Sequence, residues 1–372
     1  MIFNIYTLGF ISFLISFISI PLIIKLSSKY GLFDYICDRK IHNGNISRLG
    51  GLGVFLGFLP VVVSMFTGDV YNDVQYFLIA AMVIAFLSGF IDDLVHIRAR
   101  YKFLMQIAAA SLVACSGLLI EDLRIYTFLH VEFGFFSYIL TIVWIVAFMN
   151  AVNLIDGMDG LSTGVVLIAN FFVIIIAIIN HSYPVLSIAV VLELSILGFY
   201  IFNFPPAKIF LGDGGAYFIG FVYAIMPLMG LKKSAALTVF LIPMILMLIP
   251  VTDIAIVMYR RLKSGRNVFY PDNNHLHHRL MNVGFSTKRI LLIIYSYTVI
   301  LGCFALFMVV AKPEYTMILL SLAVFFVLLS FYMLHGAEKK IESLEAEKKI
   351  LTEIVDKNKN VKFLSSFIKK VI

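Results

Sequence analysis

The sequence predicts an all-α protein that crosses a membrane many times. Three observations carry this expectation. Hydrophobic residues fill 61% of the 372 positions and charged residues only 14%, with a mean hydropathy of +0.98. A soluble chain of this size keeps roughly a quarter of its residues charged. Apolar runs of about 20 residues, long enough to span a bilayer, recur along most of the chain. The basic residues between those runs fall overwhelmingly on one side.

Eleven spans are expected, near positions 3–24, 51–68, 75–92, 103–120, 134–151, 163–180, 184–204, 215–231, 235–257, 290–311 and 315–334, with ends good to about 3 residues. The first run has no basic residue before it, so it does not read as a signal peptide and is expected to be retained. No period of about 20–50 residues repeats and no soluble domain interrupts the series. Positions 1–336 therefore read as one multi-span domain and 337–372 as a separate tail.

With the N-terminus outside, the inward segments between spans hold sixteen Lys and Arg residues against four in the outward ones, Arg124, Lys232, Lys233 and Lys312. The positive-inside rule selects that orientation and puts the C-terminal tail, with nine further lysines, in the cytoplasm. The net charge of +7 lies mostly along this rim, where anionic headgroups meet it. A nucleic-acid partner is not needed to explain it. Cys37, Cys115 and Cys303 match no paired or metal-binding spacing and read as packing residues.

The unusual polar residues gather on the same inner face. "GFIDDLVHIRARYK" closes the third span, "NAVNLIDGMDGL" the fifth, and "NFPPAKIFLGDGGAYFIG" joins the seventh to the eighth. "IPVTDIAIVMYRRL" leaves the ninth, and "YPDNNHLHHRL" lies in the loop beyond it. Outer loops carry only isolated charges such as Asp69, Asp122 and Glu314, which read as solvated loop positions. Polar groups at the end of a membrane helix cost free energy unless they are partnered or working. Several carboxylates on one face would repel and partly protonate without a cation between them. Oxygen donors without a cysteine cluster favour Mg²⁺ or Mn²⁺ over zinc, and Mg²⁺ commonly bridges a few protein ligands to substrate phosphates. Arg100, Lys102 and Arg279 supply donors for phosphate oxygens. No G-x-x-x-x-G-K-[ST] occurs, so the chain is not a P-loop nucleotidase. The composite points to an enzyme that joins a cytosolic phosphate compound to a lipid.

At these residues the sequence resembles the polyprenyl-phosphate N-acetylhexosamine-1-phosphate transferases. The likeness runs from about Gly31 to Ser286 through five ordered motifs: "GLFD…RLGGLGVFLGF", "DDLVHIRARYK", "NAVNLIDGMDGLSTG", "FLGDGGAYFIG" and "YRRLKSG…FYPDNNHLHHRL…GFS". The last is nearest the bacterial undecaprenyl-phosphate N-acetylglucosamine-1-phosphate transferases that start O-antigen or teichoic-acid chains. The resemblance implies a Mg²⁺-dependent reaction in the bacterial cytoplasmic membrane, with its active site on the cytoplasmic face. A UDP-N-acetylhexosamine and polyprenyl (undecaprenyl) phosphate would give UMP and a polyprenyl-diphospho-sugar.

Carried over by position, the resemblance implies that Asp213 is the principal Mg²⁺ ligand and that Asn153 reaches the metal or diphosphate. Asp92 and Asp93 match the essential acidic pair, and Asp156 with Asp159 the D-G-x-D-G acids. Lys102 matches a diphosphate-binding lysine, Phe210 the ring stacked on uracil, and His275, His277, His278 and Arg279 the cluster near the phosphates. Asp34 of "GLFD" matches a further family aspartate. His96 stands where the family often has Asp or Asn, which bears on sugar choice.

Two rival readings stay open. One is the phospho-N-acetylmuramoyl-pentapeptide transferase branch, and the other is an ion-coupled transporter, which would place polar residues at mid-membrane in paired broken helices. Membrane lipids surround the domain on any reading, and the oligomeric state is open, a homodimer included. In the tail, Ile341, Leu344, Leu351 and Val355 recur at 3–4 spacing, and "VKFLSSFIKKVI" reads as a basic amphipathic stretch suited to an anionic membrane surface.

Overall fold

A computed structural model describes residues 2–33, 46–66, 72–125, 129–230, 243–245, 247–248, 252–253 and 276–357. The chain is an all-α polytopic membrane protein. Its helices are α1 (Ile2–Tyr30), α2 (Gly50–Phe66), α3 (Asn72–Val95), α4 (Ala99–Cys115), α5 (Phe136–Ile155), α6 (Leu161–Ile179), α7 (Tyr183–Asn203) and α8 (Gly212–Gly230). After them come a short α9 (Leu276–Asn282), α10 (Thr287–Val310) and α11 (Thr316–Lys357). Each of the expected spans except 235–257, which lies largely outside the described residues, coincides with one of these helices. One element was not foreseen. The loop between α4 and α5 folds into a hairpin, β1 (Asp122–Ile125) antiparallel to β2 (Leu129–Glu132), with Asp122 opposite Glu132.

Seven of the helices are long and apolar enough to cross a membrane by themselves. The exception that matters is α8, where every residue from Gly214 to Leu228 is buried. This helix faces protein and not lipid, so it tolerates glycine, tyrosine and an aspartate that a lipid-facing span would exclude. Phe218 is its central contact, edge-on to Phe55 and Phe58 of α2 and Phe86 of α3 at 5.3, 5.4 and 6.4 Å between ring centroids. On another side, the Trp144 Nε1 of α5 donates to the Ala224 carbonyl at 3.0 Å.

Glycines set how closely α8 is gripped. A Cβ on Gly51 of α2 would lie 2.3 Å from the Gly215 Cα, and one on Gly89 of α3 2.2 Å from the Asp213 carbonyl carbon. Backbone therefore meets backbone at the N-terminal end of α8, a close approach that small residues permit. One carboxyl sits halfway along a span: Glu193 of α7, whose Oε2 accepts from Asn170 Nδ2 of α6 at 2.8 Å. This pair was overlooked in the sequence, and it links two neighbouring helices at mid-depth.

Candidate active site

The site forms where α3, α4, α5 and α8 end together. "LGDGG" turns sharply into α8 at Gly212, whose φ of +75° favours glycine. The first turn of α8 then exposes unpaired amide groups, as every helix start does. Asp93, at the end of α3, accepts from them with both oxygens: Asp213 N at 2.9 Å and Gly214 N at 2.9 Å. A carboxylate is well placed at the positive end of a helix. Asp93 thus fixes α8 relative to α3, and both its oxygens are occupied in doing so.

Asp92 has a different task. Its Oδ1 accepts from Ile97 N at 2.8 Å and its Oδ2 from Lys102 Nζ at 3.0 Å, which closes the α3–α4 corner. His96 lies in that corner with φ of +51° and an exposed side chain. Lys102 reaches across to Asp213 Oδ2 at 2.9 Å, and Asn153 Nδ2 of α5 donates to Asp213 Oδ1 at 3.0 Å. One carboxylate therefore receives groups from α4 and α5 while its own backbone is held by α3. Burial alone would push Asp213 up, but the adjacent Lys102 ammonium outweighs it and holds this carboxyl below its ordinary range. Lys102 is in turn raised, because Asp213 and Asp92 overcome the cost of burying its charge.

Asp156 and Asp159 stand at the edge of this cluster. Asp156 accepts a hydrogen bond from Ser162 Oγ, and the Oδ2 of Asp159 accepts from Ala207 N at 3.0 Å. Asn203 Oδ1 takes Gly160 N at 3.1 Å and Thr163 Oγ1 at 2.9 Å, and its Nδ2 donates to the Ile209 carbonyl at 3.0 Å. These bonds join the α5–α6 loop to the segment that leads into "LGD". Burial of its carboxyl pushes Asp156 up to about 7, against the Ser162 bond, with the Asp213 charge adding to the rise.

The sign of the stability effect follows from that direction. Asp156 holds its proton more tightly folded than unfolded, so its contribution is fully present below about pH 4 and is lost as pH rises through about 7. Metal-free protein is expected to lose melting temperature across that window, and Asp156→Asn to flatten the decline. A thermal series of both proteins in detergent from pH 4 to 8 checks this.

The sequence-predicted residues divide clearly. Asp92, Asp93, Lys102, Asn153 and Asp213 come together through hydrogen bonds, and Asp156 and Asp159 adjoin them. Phe210 is half-buried, and its backbone pairs with Ser47 O at 2.8 Å and Gly50 N at 2.9 Å. Arg279 is buried on α9. Asp34 and His275 lie outside the described residues, as do the side chains of His277 and His278. Asp253, the carboxyl of "IPVTDIAIVMYRRL", accepts from Leu276 N at 3.0 Å at the start of α9.

Gly214 and Gly215 lie in the first turn of α8, where hypothetical Cβ atoms would meet Phe90 of α3 at 2.8 Å and Leu211 at 2.5 Å, so these glycines serve packing.

Two members of the site were missed. Arg48 acts electrostatically on Asp156 and Asp213, yet in the sequence it counted only as one more basic residue on the rim. Tyr217 lies one helical turn after Asp213 and faces Asp213, Lys102 and Asp92; the i, i+4 spacing from "GD" was the available signal.

Comparison with known proteins identifies the family. The family described as "Glycosyl transferase family 4" matches residues 75–231, which include Asp92, Lys102, Asn153 and Asp213. The chain is 34% identical over 328 residues to a Bacillus subtilis protein named "Probable undecaprenyl-phosphate N-acetylglucosaminyl 1-phosphate transferase", covering 86% of this chain and 89% of the relative. It is 30% identical over 342 residues to the Mycobacterium leprae "Decaprenyl-phosphate N-acetylglucosaminephosphotransferase", covering 83% and 84%. With the Escherichia coli K12 "Undecaprenyl-phosphate alpha-N-acetylglucosaminyl 1-phosphate transferase" it shares 28% identity over 311 residues, covering 81% and 84%. Likeness at this level along nearly the full length of these relatives, with the motif residues converging on one carboxylate, shows that the chain belongs to glycosyl transferase family 4, among the polyprenyl-phosphate N-acetylhexosamine-1-phosphate transferases.

Proposed function

We propose that this protein transfers N-acetylglucosamine 1-phosphate from UDP-N-acetylglucosamine to undecaprenyl phosphate, releasing UMP at the cytoplasmic face of a bacterial inner membrane. The observation that carries the reading is Asp213, held by Lys102 and Asn153 from two other helices at one membrane rim. Eleven spans with the N-terminus outside and the C-terminus in the cytoplasm complete the proposal. The relatives' names support the sugar and the lipid carrier.

The donor set suits Mg²⁺. Among the described residues no three His, Cys, Asp or Glu side chains cluster as a metal cage. Mg²⁺ does not need one, since it usually keeps water and substrate phosphate oxygens beside one or two protein ligands. Asp213 and the amide oxygen of Asn153, once that amide is turned, would hold the ion. When bound, the ion supplies charge neutralisation for the diphosphate. Mn²⁺ fits the same oxygens.

Phosphoryl transfer needs mostly positioning and charge stabilisation. Lys102 draws off charge from the donor's phosphates, aided by Arg279 and by the histidines at 275, 277 and 278. Phe210 stacks on uracil, and His96 at the exposed corner contributes to sugar choice. Asp34 completes the family's set of acids in a role still to be assigned. A lipid phosphate oxygen attacks the sugar-bearing phosphorus, and the bond to UMP breaks. That phosphate has a second pKa near ~6, so it is largely dianionic at neutral pH and needs no base.

The hydrogen bonds of Asp92 and Asp93 favour positioning over proton removal, because each already accepts with both oxygens. Asp92→Asn is therefore expected to lower the rate by the same factor at pH 6 and pH 8. A loss confined to the acidic side, measured by UMP release, would reassign Asp92 as a base.

Purified protein incubated with Mg²⁺, undecaprenyl phosphate and a panel of UDP-sugars tests the whole reading. UMP release with UDP-N-acetylglucosamine is the expected outcome. Release only with the UDP-muramoyl-pentapeptide would move the chain to the peptidoglycan branch. Among the described residues the mid-span carboxyl, Glu193, is bonded to Asn170 between α6 and α7, which does not favour an ion-coupled transporter.

A further inference from the structure

A second, smaller core lies apart from the one around α8. Leu161 and Val165 of α6, Leu280 of α9 and Ile290, Leu291 and Ile294 of α10 are buried together, with Tyr295 packed against them. α10 is thus a common base for the D-G-x-D-G loop, which leads into α6, and for α9, which carries Arg279. Tyr295 lies beyond residues 75–231, the region that matches the family.

Tyr295 reaches out of this core to one backbone atom. Its OH donates to the Gly160 carbonyl at 2.5 Å, and the same carbonyl accepts from Gly164 N at 2.9 Å as α6 begins. A carbonyl can only accept, so the Tyr295 proton is committed to it. The Tyr295 oxygen therefore accepts from Tyr200 OH of α7, 3.1 Å away. Gly164 makes room for the ring: a Cβ there would lie 2.0 Å from the Tyr295 oxygen and 2.2 Å from its Cζ.

Gly160 is held at both ends of its own backbone. Its N–H goes to Asn203 Oδ1 at 3.1 Å while its carbonyl takes the Tyr295 phenol. Asn203 passes the constraint on, because its Nδ2 donates to the Ile209 carbonyl at 3.0 Å. The next residue is Phe210, the ring assigned above to uracil. Asp159, one residue before Gly160, adds a parallel tie by accepting from Ala207 N at 3.0 Å. The 203–210 segment thus rests on the D-G-x-D-G loop, and a phenol ties that loop to α10. Asp213 is held differently, by bonds from α3, α4 and α5 that do not pass through Tyr295.

We propose that Tyr295 is a positioning residue for the nucleotide: through Gly160 and Asn203 it sets where Phe210 stands, and so governs affinity for the UDP-sugar and not the rate of phosphoryl transfer. This rests on the transferase reading and on Phe210 as its uracil platform. An interaction that serves ground state and transition state alike changes KM and leaves kcat alone. Loss of one neutral hydrogen bond changes an equilibrium by a few-fold to about tenfold.

The test follows UMP release by the full chain carrying Tyr295→Phe, which keeps the ring beside Gly164 and removes one oxygen. KM for the UDP-sugar that the wild type accepts is expected to rise about three- to tenfold. The kcat and the KM for undecaprenyl phosphate should stay within about twofold. Tyr200→Phe leaves the Gly160 bond in place and should shift the same KM less than about twofold. In a Phe210→Leu background the Tyr295→Phe factor should vanish, because both changes act on one contact. An unchanged KM, a loss confined to kcat, equal effects at 200 and 295, or a factor undiminished by Phe210→Leu would each overturn the proposal. So would a Tyr295→Phe protein that does not fold, since Tyr295 would then be a residue of the fold. A wild type that releases no UMP with any UDP-sugar fails the transferase reading, and this inference falls with it. An active wild type leaves that reading standing whatever Tyr295→Phe does.

Discussion

Asp213→Asn is expected to cut UMP release by roughly 10³-fold or more while leaving the protein folded. A single preorganised charge-stabilising group is commonly worth about 10²–10³ in kcat, and Asp213 combines that role with metal binding. The fold should survive because the backbone N–H that Asp93 accepts is untouched. Asparagine keeps one acceptor oxygen, but its NH₂ would face a second donor, either the Lys102 ammonium or the Asn153 amide. The two consequences separate experimentally. Thermal unfolding without Mg²⁺ should change little, whereas the stabilisation that Mg²⁺ gives the wild type should disappear. A variant that keeps its rate within tenfold, or still gains stability from Mg²⁺, would remove Asp213 from the metal.

Gly212→Ala should be severe for a different reason. Its φ of +75° costs an L-residue about 1–2 kcal/mol by itself. The larger problem is space. A Cβ at 212 would lie 2.0 Å from the Arg48 carbonyl oxygen and 2.6 Å from Asp93 Oδ2. The first is backbone and cannot swing aside, and the second is the carboxylate that fixes the start of α8. Relief therefore requires moving the Asp93 cap, which carries Asp213 with it. Both melting temperature and activity should fall sharply. Gly31→Ala is the matched control: φ is +68° but nothing among the described residues lies within 4 Å of the added carbon. It should show only the conformational cost and near-normal turnover. Equal losses in the two variants would mean that backbone conformation, and not the Arg48–Asp93 enclosure, limits position 212.

Much of this site was legible from residue order. Asp92, Lys102, Asn153 and Asp213 stand at the ends of separate apolar runs that the basic residues assign to one face, and a charged group at such a boundary needs a partner. What the order could not show was how each group is used. Asp92 and Asp93 are neighbours with the same side chain. One closes a corner onto Lys102 and the other caps a helix that begins 119 positions later in the chain, at Gly212. Arg48 was invisible because basic residues are ordinary on that rim.

By itself, then, the sequence determined the all-α membrane class, the family and the placing of polar motifs at helix ends. Apolar run length and basic-residue asymmetry are local properties that the bilayer reads directly. Only the tertiary structure decided that α8 is the central, protein-enclosed helix, that Asp213 is the carboxylate on which α4 and α5 converge, and that Asp93 holds it there. Those outcomes depend on contacts between residues 60 to 120 positions apart, such as Asn153, Lys102 and Asp93 with Asp213. Packing alone settles contacts of that kind, because no local pattern specifies which helix end will lie beside which.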